Sequence, residues 1–455
     1  MSPAHLPTWT DMDRHGPTCN NSNLIININQ PRQSGGSSTQ PRHHAAMVPT
    51  RPTHRTAVRW TMRIVPGLIV CTFGIATFAV TARFCVQYLY QTLNKKGVAI
   101  ATLVLYCLLF VLTMASYMRL FFAIQRDPGL VPLLRHSDPE TLGSGEKRGR
   151  CRSRRHRDPE DAPWAPPDSD PNSPGLEAFY SRDVFACEVD GRPKWCSECR
   201  QWKPDRAHHS SELGRCVRKM DHLCPWVGGM VSETSFNFFT HFTFYATCLC
   251  GVALAVSVYS LTEQLNGKEI SVDGWVIAII ALSAFFGLFA FGMTLTAGRY
   301  LFTNTTNIDM LRKRQIFTLA VRIPQDTPPS SKYPTITYPL ESLQPIPPTL
   351  EAQRPNRSAG PKDSRDMQAR RKFAILRTEA GENPWDLGLW ENWKSVMGTS
   401  VKEWLLPLRH SPCCSHDSMV SDYPFGPLVD ELRRRYGVPD LNGKIPHGGP
   451  SSILI

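Results

Sequence analysis

Apolar positions in this chain gather into four runs instead of spreading with the periodicity of a soluble fold. Ile64 to Ala82, Gly97 to Met118, Thr234 to Thr262 and Gly274 to Gly298 contain no Asp, Glu, Lys or Arg, and span 19, 22, 29 and 25 residues. A helix needs ~20 residues to cross ~30 Å of hydrocarbon. The pattern predicts an all-α polytopic membrane protein with four transmembrane helices, and places a long cysteine-rich loop between the second and third.

The polar stretches divide the rest of the chain. Residues 1–58 are rich in Pro, Ser, Asn and His, without the apolar core of a signal peptide, and are expected to be disordered. Residues 59–118 carry the first two spans, 119–180 a linker, 181–233 the cysteine-rich region, and 234–298 the last two spans. The tail, 299–455, is expected to be largely disordered apart from 382–398. Within the linker, His136 to Gly175 is Pro-rich and charged, and its run KRGRCRSRRHR is suited to solvent or to anionic lipid. Order is expected to return at DVFACEVDGRPKWC, where Asp190 and Gly191 between short strand-like runs suggest a hairpin.

Charge sets the orientation. The net charge of +12 comes from basic residues that flank apolar spans instead of lining a soluble fold, which makes the membrane surface the acidic partner and argues against nucleic acid. Near the span ends, fourteen Lys or Arg fall on the side shared by both termini and the central loop, against four on the other. The excess predicts that both termini and the cysteine cluster are cytosolic. The spans hold no ionisable residue besides cysteine and tyrosine except His241, which argues against a transporter.

The 14 cysteines form no even, secreted framework. Four candidates for metal binding, Cys196, Cys199, His209 and Cys216, have the spacing C-x2-C-x9-H-x6-C, which suits a closed tetrahedral zinc site of structural type. Downstream lies Asp221-His222-Leu223-Cys224-Pro225-Trp226. Cysteine with histidine and a carboxylate is the makeup of an activated thiol, the histidine taking the proton and the acid orienting it. His222 and Cys224 do not share a helical face, so the fold must bring them together.

At these residues the chain resembles the DHHC-family protein S-acyltransferases (palmitoyltransferases), in their divergent fungal branch. KPDRAHH, RKMDHLCPW and VSETSFNFF carry the resemblance, with Arg126-Asp127-Pro128-Gly129 after the second span and Thr305-Thr306 after the fourth. ENPWDLGLWENWKSVMG in the tail matches at Asn383, Pro384, Trp385, Gly388 and Asn392. The resemblance implies an acyltransferase that passes a long-chain fatty acyl group from acyl-CoA, through a thioester on Cys224, to cysteines of proteins near the bilayer. It assigns His222 and Asp221 as the base pair, and Lys203, Arg206 and Trp226 to binding of the acyl-CoA. The implied setting is an endomembrane or the plasma membrane.

Two departures stand out. The family's second zinc set falls on Ser210, Leu213, Leu223 and Met230, none of them a ligand zinc favours, so one structural zinc is expected, with Leu213, Leu223 and Met230 clustering in place of the second. The TTxE motif reads Thr305-Thr306-Asn307-Ile308-Asp309, its acid shorter and one place later. A non-enzymatic membrane adaptor keeping the zinc knuckle is the competing reading. Cys413 and Cys414 are either an unmodified surface pair or an acyl acceptor near the membrane.

Overall fold

The computed structural model describes residues 52–133, 175–266, 272–311, 316–340, 370–414 and 423–444. The expected disorder of the first 51 residues and the basic insert at Lys147 to Arg157 lie outside these.

Among the described residues, four helices are long and apolar enough to cross a membrane: Trp60–Thr92, Lys96–Arg126, Phe236–Asn266 and Gly274–Phe302. Each outlasts its uncharged run, because Lys, Arg and Glu at the ends can reach polar surroundings while their stems stay on apolar surface. The first is α-helical over Pro52–Phe78 and a π-helix over Ala79–Thr92. At its end the amide of Leu93 reaches the carbonyl of Tyr88, five residues back, at 2.9 Å. Apolar packing joins the spans in two groups, one around Phe84, Tyr106 and Leu249, the other around Tyr117, Phe238 and Leu301. On the side away from the cysteine loop, Lys95 pairs with Glu263 at 2.8 Å and Arg83 with Asp273 at 3.3 Å.

The cysteine-rich loop is built from short antiparallel pairs. Its strands are β1 (Val184–Cys187), β2 (Trp195–Cys196), β3 (Gln201–Trp202), β4 (His208–Ser210), β5 (Arg215–Val217), β6 (His222–Cys224) and β7 (Gly229–Val231). β2 pairs with β3, β4 with β5 and β6 with β7. The expected hairpin at Asp190 and Gly191 is corrected: a turn is present, with the Gly191 amide on the Glu188 carbonyl at 3.0 Å, but the strands on either side join different sheets.

β1 leaves the loop to pair with the tail. With β8 (Thr318–Ile323), β9 (Thr335–Tyr338) and β10 (Arg371–Arg377) it forms an antiparallel sheet in the order β1-β8-β10-β9. One face packs Phe185 and Phe373 against Phe179 and Trp202; the other packs Val321 and Leu376 against Val429 and Leu432 of the helix Leu428–Tyr436. The described parts of the tail are therefore ordered beyond residues 382–398, because three of its segments complete a sheet that the central loop begins.

The motif after the second span fastens the loop to the membrane helices. Gly129 sits at φ +77°, and a Cβ there would come 2.7 Å from Ser232 Oγ, so only glycine fits. Around it, Ser232 Oγ donates to the Pro128 carbonyl at 3.0 Å and Thr234 Oγ1 to the Asp127 carbonyl at 2.7 Å. The Val131 amide meets the Cys216 carbonyl at 2.9 Å, and the Arg218 amide meets that of Gly129 at 2.9 Å.

Candidate active site

The four expected metal ligands converge. Their ligand atoms all lie within 4.8 Å of one another, with His209 Nδ1 at 3.5 Å from Cys196 Sγ and 3.4 Å from Cys199 Sγ. Tetrahedral zinc with bonds of ~2.3 Å to sulfur and ~2.0 Å to nitrogen holds those atoms ~3.5 Å apart, so the donor set fits the ion. The local fold explains the convergence. Cys196 ends β2, Cys199 follows in the tight turn whose amide donates to Cys196 Sγ at 3.4 Å, and His209 and Cys216 are cross-strand partners on β4 and β5.

The second ligand set is not replaced as expected. Leu223 and Met230 are cross-strand partners on β6 and β7, but Leu213 is 38% exposed at the turn after β4. Ser210 Oγ accepts the amide of Leu213 at 3.3 Å, so a hydrogen-bonded turn takes the place of the apolar contact. The β6–β7 ladder, more than a three-residue apolar cluster, holds this half of the loop.

His222 and Cys224 meet because β6 is extended. Alternate residues of a strand point to one face, so the spacing of two that fails on a helix succeeds here. His222 Nδ1 lies 2.7 Å from Asp221 Oδ2, and Cys224 follows two residues on in the same strand. Burial opposes charging the imidazole, but the bonds to Asp221 and Cys224 outweigh it and raise its pKa to about 9. Phe239 packs edge-on against the ring, with centroids 5.2 Å apart.

Asp221 is held in turn by the segment after the fourth span. Its Oδ1 accepts the amide of Asn307 at 2.7 Å. Asp309 closes that short helix, Asn307–Leu311, by accepting the Thr306 amide at 3.0 Å, and it binds Arg206 Nη2 at 3.0 Å. Charge from Arg206 and these bonds outweigh burial and keep the Asp309 carboxyl below its usual range. The displaced acid of the TTNID sequence thus has a structural partner.

Arg206 is turned inward. Its side chain is 1% exposed, donates to Asn304 Oδ1 at 2.8 Å, and stacks its guanidinium on Trp385 and Tyr423. Lys203 is half-buried and borders a small crevice with Arg206, Lys194 and Asp309. Trp226 lies elsewhere, 36% exposed and packed on Phe289 with centroids 5.4 Å apart.

Cys224, 6% exposed, opens onto a cavity of about 330 Å³ that runs among the spans. Ile69, Phe73, Phe242 and Phe286 supply its apolar walls, and Tyr106, Cys250 and Ser283 also line it. The turn after Cys224 is pinned to the second span: Tyr117 donates to the Trp226 carbonyl at 3.0 Å and Gln125 to that of Gly228 at 2.9 Å. Gly228 has φ +76°, where a Cβ would stand 3.1 Å from the Met62 carbonyl of the first helix.

Three residues that sequence reasoning left without a role carry the junction with the tail. Asn392 and Asn383 donate to the carbonyls of Phe302 and Thr303 at 2.8 and 2.9 Å, satisfying the end of the fourth helix. Asn304 receives Arg206 and Lys219 and donates to the Trp385 carbonyl at 2.7 Å. Their motif spacing signalled Asn383 and Asn392; nothing signalled Asn304.

A family model described as DHHC palmitoyltransferase matches residues 189–314. "Palmitoyltransferase pfa5" of Aspergillus fumigatus is 37% identical in an alignment that covers 83% of this chain and 90% of that protein. The chain belongs to the DHHC palmitoyltransferase family. A second DHHC relative, "Palmitoyltransferase pfa5" of Emericella nidulans, is 34% identical over 83% of this chain and 86% of its own. "Palmitoyltransferase PFA5" of Saccharomyces cerevisiae is 22% identical, over 55% of this chain and 63% of its own. Among DHHC palmitoyltransferases, the chain is a multi-pass protein whose loop between the second and third spans carries a cysteine and histidine cluster compatible with zinc.

Proposed function

We propose that this protein is a protein S-palmitoyltransferase that moves a long-chain acyl group from acyl-CoA to protein cysteines through a thioester on Cys224. The observation that carries the reading is the line of Asp221, His222 and Cys224 at the mouth of an apolar cavity between the spans. A membrane adaptor has no use for a thiol, an imidazole and a carboxylate so placed. The cavity would take the acyl chain, with Trp226 on its wall, and the thioester carbonyl would then sit at Cys224.

In the first step Cys224 sulfur, its proton held by His222, attacks the thioester carbonyl carbon. The bond from that carbon to CoA sulfur breaks, and CoA leaves with the proton from His222. In the second, His222 takes the proton of a substrate thiol. That sulfur attacks the acyl carbon, and Cys224 departs as thiolate, again paired with the imidazolium. Asp221 fixes the tautomer and favours the charged ring. Lys203 is the basic donor able to meet CoA phosphates, and Arg206 supports it from inside the loop by charge and by holding Asp309.

One zinc ion would be held by Cys196, Cys199, His209 and Cys216, where it cross-links the knuckle and takes no part in the transfer. The excess of basic residues on one side supports a cytosolic location for Cys224 and both termini, where acyl-CoA is available. Substrates are proteins whose cysteines lie near the bilayer. Purified protein incubated with labelled palmitoyl-CoA should form a hydroxylamine-labile adduct on Cys224. Cys224→Ser should remove both adduct and transfer. Normal transfer by that variant would overturn the reading.

A further inference from the structure

Cys413 and Cys414 are neither a surface pair nor beside the membrane cavity. Both are free thiols and half-buried. Cys414 Sγ donates to the Glu233 carbonyl at 3.0 Å, and Cys413 Sγ lies 3.0 Å from Ser411 Oγ. Cys413 also borders a cavity of about 10 Å³ with Lys219, Asp221, Glu233 and Thr306. That space is at the lower limit for one water and excludes a thiol as bulky as glutathione, so a small peroxide would reach Cys413 from its half-exposed side. It lies behind the carboxylate that orients His222.

The surroundings favour reaction at Cys413. The ammonium of Lys219 is buried against Asn304 at 3.0 Å and lies over the Tyr423 ring at 5.5 Å. Across from it, Glu233 takes the Tyr423 hydroxyl and pairs with Arg218 at 3.9 Å, and the Arg206–Asp309 pair is a further source of charge. The neighbouring Cys414 thiol first, and then Lys219 and Ser411, outweigh burial and lower the Cys413 pKa below the ordinary thiol range. Cys414, adjacent in sequence, is in place to resolve an oxidised Cys413.

We propose that Cys413 is an oxidant-sensitive site at which a hydroperoxide closes a disulfide between Cys413 and Cys414. Cys413 thiolate attacks one peroxide oxygen, the O–O bond breaks, and the leaving hydroxide is protonated to water, giving a sulfenic acid. Cys414 sulfur then attacks Cys413 sulfur, the S–O bond breaks, and hydroxide leaves with the Cys414 proton as a second water. With hydrogen peroxide, the two thiols lose two electrons to the oxidant and yield one disulfide and two waters.

Adjacent Cα atoms stand ~3.8 Å apart across a trans peptide, closer than the ~4.4–6.8 Å usual for a disulfide. The bond would be strained and readily reversed by thiols, as suits a switch. Closing it withdraws the Cys414 proton from the Glu233 carbonyl and reshapes the wall that Cys413 shares with Asp221.

The test uses full-length protein in lipid nanodiscs treated with hydrogen peroxide. Peptide mass spectrometry should find the Cys413 and Cys414 peptide lighter by two hydrogens, resistant to alkylation, and restored by dithiothreitol. Cys414→Ser should trap a sulfenic acid on Cys413 that dimedone tags. Wild-type transfer should fall several-fold and recover on reduction, whereas Cys413→Ser keeps its transfer at the same dose. If Cys413→Ser fails to fold, the wild-type peptide mass still decides. Oxidation of Cys224 with this pair left reduced, or an acyl group on Cys413 as purified, would overturn the proposal. The mass readout needs no acyl transfer, so its failure is distinct from failure of the proposed activity.

Discussion

Asn307 donates its backbone amide to Asp221 Oδ1 at 2.7 Å, while Asp221 Oδ2 lies 2.7 Å from His222 Nδ1. The carboxylate is gripped from both ends, by the segment after the fourth span and by the imidazole it orients. Removing the imidazole tests the chemistry at its centre. His222→Ala should slow Cys224 acylation by ~10²- to 10⁴-fold, the usual worth of a positioned general base. Single-turnover acylation across neutral pH measures it, and an unchanged rate would remove His222 from the mechanism.

The Asp309 pair should matter for stability as well as rate. Arg206 and Asp309 side chains are 1% and 13% exposed, so Asp309→Ala leaves a buried guanidinium uncompensated. Breaking such a pair from one side costs about 3–5 kcal/mol. We expect a lower melting temperature together with slower acylation, since Asn307 loses its fixed position. Asp309→Glu should recover part of both; a variant with unchanged melting would show the pair to be dispensable.

The raised pKa of His222 fixes a sign for pH dependence. A histidine whose pKa moves from 6.5 to about 9 on folding stabilises the folded state fully below about pH 6.5. That contribution falls as pH rises and is gone above about 9. The melting difference between wild type and His222→Gln should therefore shrink from pH 6 to pH 10, and a gap that widened would contradict the Asp221 pairing.

Metal content is expected to be one zinc per chain. Elemental analysis checks this, and two ions would mean the ligands are misassigned. Cys199→Ser should release the ion and unfold the knuckle, since a structural zinc contributes ~10–16 kcal/mol of apparent binding energy. Leu223→His should not recruit a second ion, because Ser210, Leu213 and Met230 offer no partner ligands.

Topology can be tested in sealed vesicles. Tags at both termini should be open to protease on the cytosolic side, with Cys224 on that side too. A lumenal Cys224 would separate the thiol from acyl-CoA and end the proposed mechanism.

The spans and the convergence of the cysteine and histidine cluster were legible because each rests on a local signal: uncharged length for one, ligand spacing for the other. The tail sheet was not. β8 and β10 are buried on both faces, Val321 and Ala320 pointing opposite ways into apolar packing, so no alternation of polar and apolar residues marks them. The partner of β8, β1, lies far away in sequence, Val184 facing Val321, and no local pattern records such a pairing. The inward turn of Arg206 was hidden for a similar reason, since its acceptors Asn304 and Asp309 come from beyond the fourth span. Leu213 misled through its apolar character, although the hydrogen-bonded turn at Ser210 leaves it facing solvent.

The grip of Asn307 on Asp221 has a consequence for biogenesis. Asp221, His222 and Cys224 leave the ribosome before the third and fourth spans, whereas Asn307, Asp309 and strand β8 follow them. A nascent chain halted after its third helix carries all three proposed reacting groups but holds the carboxylate from the imidazole side alone. Full support of the reactive thiol waits until both later helices are inserted and the tail has docked. Translation order alone delays the finished enzyme until it is seated in its membrane.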